Sequence, residues 1–250
     1  MTFLKQNPGT ANDKQWKGIY IFGGATALTV IMGTILDIII GTRLGGDLSG
    51  IPNTAIGRFA QFHDNWLLGL YNFDMLNLCT TILMIPTYFA LWAAHRKVNI
   101  AQTTLAMITY YIGAMVFITN NVALTMLELS NKYATSTTEA QKTLLAAAGE
   151  AMIARGAHGS LGVFLGFLLL SIGSIVMSLA MLKGEIFGKP TAYVGIIGST
   201  LLMMYVILVT FVPEIQNVAM MVAAPGGILA LAWMIMFTIR LFQLGFTKNS

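Results

Sequence analysis

The sequence predicts an all-α fold, a polytopic bundle of six transmembrane helices that forms one domain over residues 1–250. Three observations predict it: few charged residues, long apolar runs, and no strand-like alternation within those runs. Only 10% of the residues are charged and 56% are hydrophobic, whereas an average soluble domain has about 25% charged residues. In lipid only helices and closed barrels satisfy their backbone groups, and continuous apolar runs are not typical of a barrel.

The spans follow from length, because a helix needs about 20 apolar residues to cross a hydrocarbon core of about 30 Å. A polar stretch with Lys5, Lys14 and Lys17 precedes the first span and no cleavage site of small residues follows it, so we expect this span to be a retained anchor. The predicted spans are 19–41, 66–94, 103–127, 159–182, 191–212 and 219–242.

The basic residues predict the orientation, since Lys and Arg are more frequent in cytoplasmic loops. With a cytoplasmic N-terminus, nine of the 14 Lys and Arg lie on the cytoplasmic side and five on the other. Both termini are therefore predicted to be cytoplasmic. The basic residues sit at helix ends, where they suit lipid headgroups. We expect membrane lipids as partners and no nucleic acid.

Two segments between the spans are predicted to lie outside the membrane on the outer side, 42–65 and 136–157. The first contains a short helix from Asn53, and the second begins with a capping box, Ser136-x-x-Glu139, and runs straight into the fourth span. Each segment is either an amphipathic lid on the outer leaflet or a helical extension that packs on its neighbours. The face predicted to pack in the short helix consists of Ile56, Phe59, Ala60 and His63.

Small residues predict where spans pack closely, because helices in lipid associate through small side chains. Glycines recur every seven residues in the fourth span, at Gly159, Gly166 and Gly173. A stripe at every fourth position marks the first span and places an aspartate on its packing face. The stripe consists of Ala25, Thr29, Gly33, Asp37 and Gly41.

Ionisable and amide side chains concentrate in the outer half of the predicted bundle, and charged groups in lipid are costly enough to indicate function. We predict that they line an outward-facing pocket for a small or lipid-like ligand, in which Arg155 binds an anionic group or the carboxylates. The competing interpretations are hydrogen-bonded glue between helices and a structural salt bridge from Arg155 to Asp37 or Asp74. The predicted lining is Asp37, Asp74, Asn77, Asn121, Arg155 and His158.

Other chemistries find little support in the residues. Cys79 is the one cysteine, there are three histidines, and no metal-binding or serine-hydrolase motif occurs. We therefore predict no metal and no cofactor. An alternative is a membrane-embedded enzyme on a lipid-soluble substrate, with Asp37 or Asp74 as base and His158 as acid. A further alternative is a structural or regulatory subunit of a larger membrane complex; a homo-oligomer is also left open.

Two local stretches and the layout carry a family resemblance. The second span ends PTYFALWAAHRKVN, and GKPTAYVGIIGSTLL opens the fifth. An amphipathic connection leads through Arg155 into the Gly-rich fourth span. Over most of residues 15–245 the chain resembles an uncharacterised family of bacterial six-span integral membrane proteins, catalogued only as a domain of unknown function. The resemblance implies a bacterial inner-membrane protein with six helices and supplies no substrate, cofactor or catalytic residue.

Overall fold

A computed structural model describes residues 12–43, 51–157, 159–184 and 186–247. These ranges contain ten α-helices and a short 3-10 turn, Pro213–Ile215, and no strands. The helices are α1 Asn12–Arg43, α2 Ala55–Asp64, α3 Trp66–Tyr71, α4 Met75–His95, α5 Ile100–Asn120, α6 Ala123–Thr135, α7 Glu139–Gly156, α8 Leu161–Gly184, α9 Lys189–Phe211 and α10 Gln216–Phe246.

Six helical segments within the described residues are long and apolar enough to cross a membrane, which confirms the predicted six-helix fold. The membrane-crossing parts belong to α1, α4, α5, α8, α9 and α10. They form a ring in chain order: each packs on the next, and α10 packs on α1. The buried core between them includes Tyr88, Met177 and Phe237, each fully inaccessible to solvent. The side of the membrane on which the termini lie remains a prediction.

The four short helices α2, α3, α6 and α7 pack against one another at one end of the ring, where α1 ends and α4 begins. We call them the cap, and the other end of the ring, where α1 begins and α10 ends, the terminal end. The cap has its own apolar cluster, in which Phe59, Phe62 and Met126 are buried. Gly149 of α7 lies directly against Ala55 and Phe59 of α2. The extramembrane segments therefore pack on their neighbours.

The second and third predicted spans differ from the structure, because the backbone bends at the cap within each of these two segments. The second, 66–94, is divided into α3 and α4 by a turn at 72–74, and the third, 103–127, ends as α5 at Asn120. Asn121 has extended backbone, and its side-chain oxygen accepts a hydrogen bond from the Ala123 amide at 3.0 Å. Asn and Asp compete for backbone hydrogen bonds in this way and so interrupt helices.

The predicted capping box at Ser136 is wrong, and so is the continuous helix after it. The residue that caps α7 is Thr138, whose hydroxyl accepts from the Gln141 amide at 3.3 Å. Ser136 instead follows α6 and donates to the carbonyl of Lys132 at 2.8 Å. At the other end, α7 stops at Gly156 and α8 begins four residues beyond the extended Ala157.

The two predicted packing seams have different outcomes. Gly166 and Gly173 lie against Phe117 and Tyr110 of α5, as predicted, whereas no atom of the described residues lies near enough for Gly159 to pack on. In α1 the stripe is wrong at Ala25 and Thr29, which are exposed, whereas Gly33 lies against Thr80 of α4. Positions four apart rotate by about 40° per step around an α-helix, so a long stripe leaves the contact face. The α1 surface that is buried comprises Gly23, Gly24, Thr26, Ala27, Val30 and Ile31.

Candidate functional site

Asp37 is bound by a tyrosine from the cap. The Tyr71 hydroxyl, at the end of α3, donates to Oδ1 of Asp37 at 2.8 Å. Burial raises the pKa of Tyr71 to about 12, and the hydrogen bond to Asp37 adds to the effect. This tyrosine therefore stays protonated at neutral pH and remains a donor to the carboxylate.

Asp74 starts α4 in a left-handed conformation, with φ 60° and ψ 27°. Asp and Asn tolerate this region better than most residues because their short polar side chains can hydrogen-bond locally. An aspartate at this position commonly accepts a hydrogen bond from a backbone amide of the first helical turn. The Asp74 carboxylate accepts none there. Its Oδ1 instead accepts from the side-chain amide of Asn77 at 3.0 Å.

Asn121 fastens the end of α5 to the turn before α4. Its side-chain amide donates to the carbonyl of Phe73 at 2.9 Å. Both the nitrogen and the oxygen of the carboxamide therefore form hydrogen bonds, since the oxygen also accepts from the Ala123 amide. Asn121 therefore fixes the turn that holds Asp74. Four of the predicted site residues lie around the segment 71–77: Asp37, Asp74, Asn77 and Asn121.

The last two predicted site residues are not part of this group. Arg155 is exposed and donates through Nη2 to the carbonyl of Thr119 at 2.9 Å, near the end of α5. Among the described residues, no ion pair joins Arg155 to Asp37 or Asp74. The salt bridge considered for Arg155 is therefore not formed. His158 lies outside the described residues.

A cavity of about 510 Å³ lies at the centre of the ring, and all six spans contribute to its wall. We call it the central cavity. Asp37 and Asn77 line it towards the cap, and Asp37 is the only charged side chain among the described residues of its lining. The apolar and aromatic part of the wall includes Leu170, Leu202, Tyr205, Val206, Trp233 and Met234.

The wall of the central cavity also contains hydroxyl groups, away from Asp37. Ser174 shares a hydrogen bond of 2.6 Å with the hydroxyl of buried Tyr88, and its own hydroxyl also reaches the Leu170 carbonyl. Close by, the indole N–H of Trp233 and the hydroxyl of Ser178 flank Gly195. Neither group has a hydrogen-bond partner in the described part of the chain, although both are buried.

A second cavity, of about 300 Å³, lies between the cap and the ring. We call it the cap cavity. Its polar lining consists of Arg58, Asn72, Asp74, Asn120 and Asn121. The loop between α5 and α6 and the end of α7 close its other side. Asp74 and its partner Asn77 thus stand between the two cavities, one lining each.

Sequence reasoning missed Arg58, although a signal was present. The structure buries Ala55, Phe59 and Phe62 in α2 and exposes Ile56 and His63, so the face predicted for this helix is wrong in part. Arg58 lies three residues after Ala55 and four before Phe62, which places it on the buried stripe. A charge on an apolar stripe is the pattern that would have identified it.

No group of three or more His, Cys, Asp or Glu side chains within the described ranges is arranged to hold a metal ion. Cys79 is an exposed free thiol. The site therefore consists of carboxylates, amides, hydroxyls and one guanidinium.

A ring of six helices that are long and apolar enough to cross a membrane, with a smaller helical cap at one end, defines a multi-pass membrane protein. The family model described as "Domain of unknown function (DUF4386)" matches residues 21–240, and the chain belongs to this family. No curated protein matches the chain, and no solved structure matches it.

Proposed function

We propose that this membrane protein binds a small or lipid-like ligand in the central cavity. The observation that carries the proposal is the lining of that cavity, which combines an apolar wall from six spans with a carboxylate at one end. Its volume of about 510 Å³ lies within the range of about 300–1,000 Å³ that is typical of small-molecule sites.

The lining indicates the chemistry of the ligand. Asp37 is held as an acceptor by Tyr71, and its second carboxylate oxygen leaves room for a further donor. A ligand with a hydrogen-bond-donating or positively charged head group suits that end. An apolar tail suits the wall formed by Leu202, Val206 and Met234. Such a ligand is amphiphilic and reaches the site from the bilayer.

Each predicted residue has a separate role in this proposal. Asp37 and Asn77 contact the ligand, since both line the central cavity. Asp74 orients Asn77 through their hydrogen bond, and Asn121 holds the turn that positions Asp74. Arg155 is left out because its guanidinium is bound to the end of α5. A role for His158, including the acid of an enzymatic reaction, stays a prediction.

We also infer a bacterial cytoplasmic membrane with both termini inside. Nine Lys and Arg against five support this orientation. In that orientation the cap and Asp37 lie on the outer side, and the proposed site is nearer the outer leaflet.

The experiment compares ligand retention in variants that fill the cavity or remove its charge. Protein purified in a mild detergent is measured by native mass spectrometry, which detects molecules that stay bound. Wild type should retain an amphiphile of defined mass. Ser171→Phe, which fills the cavity, should lose it, and Asp37→Asn, which keeps an acceptor for Tyr71, should retain at least tenfold less.

The matched control is Leu179→Phe, an aromatic substitution on the exposed side of the same helix, α8. It should retain the amphiphile as wild type does. Equal retention by Ser171→Phe, or no retained molecule in wild type, contradicts the proposal.

A further inference from the structure

The cap cavity contains an arginine whose hydrogen-bonding groups are not used. Nε and Nη1 of Arg58 are buried and have no acceptor among the described residues. The guanidinium lies over the ring of Phe73, with its carbon 4.8 Å from the ring centroid. A face-on aromatic contact attracts the cation but satisfies none of its N–H groups.

The other polar side chains of this cavity form hydrogen bonds to groups other than Arg58. The side-chain amide of Asn72 donates to Gln61 at 3.1 Å, and that of Asn120 donates to the Val116 carbonyl at 2.8 Å. Asp74 accepts from Asn77, and no ion pair joins it to Arg58 within the described residues. The cavity thus contains a guanidinium whose Nε and Nη1 have no direct acceptor in the described part of the chain.

This arrangement is costly without a further partner. A buried donor that loses water and gains no acceptor destabilises the folded protein, and does so more strongly when it is charged. Burial also lowers the pKa of Arg58 from its ordinary value. An oxyanion removes the penalty, because its oxygens accept charge-assisted hydrogen bonds from a planar guanidinium.

We propose that the cap cavity binds a small oxyanion, a phosphate or carboxylate group, through Arg58. The volume of about 300 Å³ accommodates a group of this size with water. This site is separate from the ligand site in the central cavity, since Arg58 lies in the cap and does not line that cavity. The oxyanion comes either from solution or from the head group of an anionic lipid, because the cap lies at the end of the spans.

The test measures thermal unfolding of the full chain in dodecyl maltoside, which contains no phosphate. Inorganic phosphate is titrated against chloride at equal ionic strength, and short-chain phosphatidylglycerol is titrated separately. A molecule that binds the folded protein raises Tm with its concentration. We expect at least one of these probes to raise Tm of wild type, with an apparent Kd at least tenfold weaker in Arg58→Gln.

The two probes identify the source of the oxyanion. Stabilisation by phosphate alone indicates a soluble oxyanion, and stabilisation by the lipid alone indicates a head group. The charge-matched control is Arg155→Gln, at the same end of the molecule, which should respond as wild type does. The proposal is overturned if neither probe stabilises wild type, if Arg58→Gln responds equally, or if Arg155→Gln loses the response and Arg58→Gln keeps it.

Two further variants keep the test decisive if Arg58→Gln does not fold. Arg58→Lys retains the charge without the planar donor group, so it should bind several-fold more weakly. Ala157→Leu keeps Arg58 and places a larger side chain in the cavity that Ala157 lines. Unchanged binding in both variants would exclude the cap cavity as the site.

Discussion

A half-buried arginine lies at each end of the ring, and the two differ in their hydrogen bonds. At the terminal end, Nη1 of Arg96 donates to the Ala93 carbonyl at 2.6 Å and to the Tyr20 hydroxyl at 2.9 Å. Its guanidinium also stacks on Trp16, 4.0 Å from the ring centroid. Under the cap, Arg58 lies over an aromatic ring in the same manner but leaves two nitrogens without acceptors.

The two ends of the ring also differ in how closely their side chains pack. At the terminal end, His95 is fully buried, stacks on Phe187 and donates from Nδ1 to the Leu91 carbonyl at 2.8 Å. Arg240 closes this end by donating to the Ile186 carbonyl at 2.7 Å. At the cap end, the comparable space contains cavities. Nε2 of His95 also lacks a partner among the described residues. The comparison therefore teaches that polar residues at the terminal end fasten packed helices, whereas those under the cap also border open space.

The largest expected effect is at Arg96. Arg96→Gln removes two charge-assisted hydrogen bonds and a cation–π contact, so we expect the free energy of unfolding to fall by about 3 kcal/mol. Arg58→Gln, measured without added oxyanion, should differ from wild type by less than about 1 kcal/mol, because it removes donors that have no acceptor. Equal losses in the two variants, in denaturant or thermal unfolding, would remove the distinction between the two ends.

The sequence was sufficient for the fold but not for the bends that build the site. Apolar length alone predicts six spans, because the cost of burying peptide groups in lipid leaves few other structures. The hydropathy pattern does not indicate the turns at 72–74 and 121–122, because apolar residues lie on both sides of Asn72, Asp74 and Asn121. These turns depend on side-chain hydrogen bonds to the backbone, such as that from Asn121 to Phe73, and only the folded chain brings such partners together.

For the candidate site too, the sequence predicted one part and missed another. Polar residues near one end of the spans suggested a cluster, and Asp37, Asp74 and Asn77 do lie around one segment. The i, i+3 spacing of Asp74 and Asn77 agrees with their hydrogen bond. The partner of Asp37 could not be predicted from spacing, because Tyr71 lies on a different helix. The predicted depths indicate Arg155 as the only basic residue placed to help the carboxylates, whereas in the structure its guanidinium donates to the Thr119 carbonyl.

A pair of glycines on α8 tests whether the ends differ in packing. A methyl group at Gly184 would lie 2.8 Å from Cδ2 of His95, whose ring is fully buried. Gly184→Ala should therefore cost about 2 kcal/mol, as overpacking in a closed core does. At the cap end a methyl group at Gly162 would meet the side chain of Asn120, which lines the cap cavity and has space to turn.

Gly162→Ala should consequently cost less than about 1 kcal/mol, because alanine also favours the helix by about 1 kcal/mol. Thermal unfolding of both variants beside wild type measures the difference. A larger loss for Gly162→Ala than for Gly184→Ala would mean that the cap end is packed as tightly as the terminal end.

An effect smaller than those at Arg96 and Gly184 concerns the hydrogen bond between the cap and the ring. Tyr71→Phe removes the hydrogen bond to Asp37, so we expect a loss of about 1 kcal/mol at pH 8. This loss should depend on pH. The folded protein raises the pKa of Tyr71 to about 12 from the ordinary value of 10.0. The stability that the tyrosine contributes is thus fully present below pH 10 and declines as the pH rises through 12.

The difference in Tm between wild type and Tyr71→Phe should accordingly close as the pH rises from 10 to 12. All other ionisable groups are the same in both proteins, so the difference isolates Tyr71. The response has a definite sign because a tyrosinate beside Asp37 would place two negative charges together. A constant difference across this interval would show that Tyr71 does not hold the carboxylate through its proton, and Asp37 would then be free to bind a ligand without help from the cap.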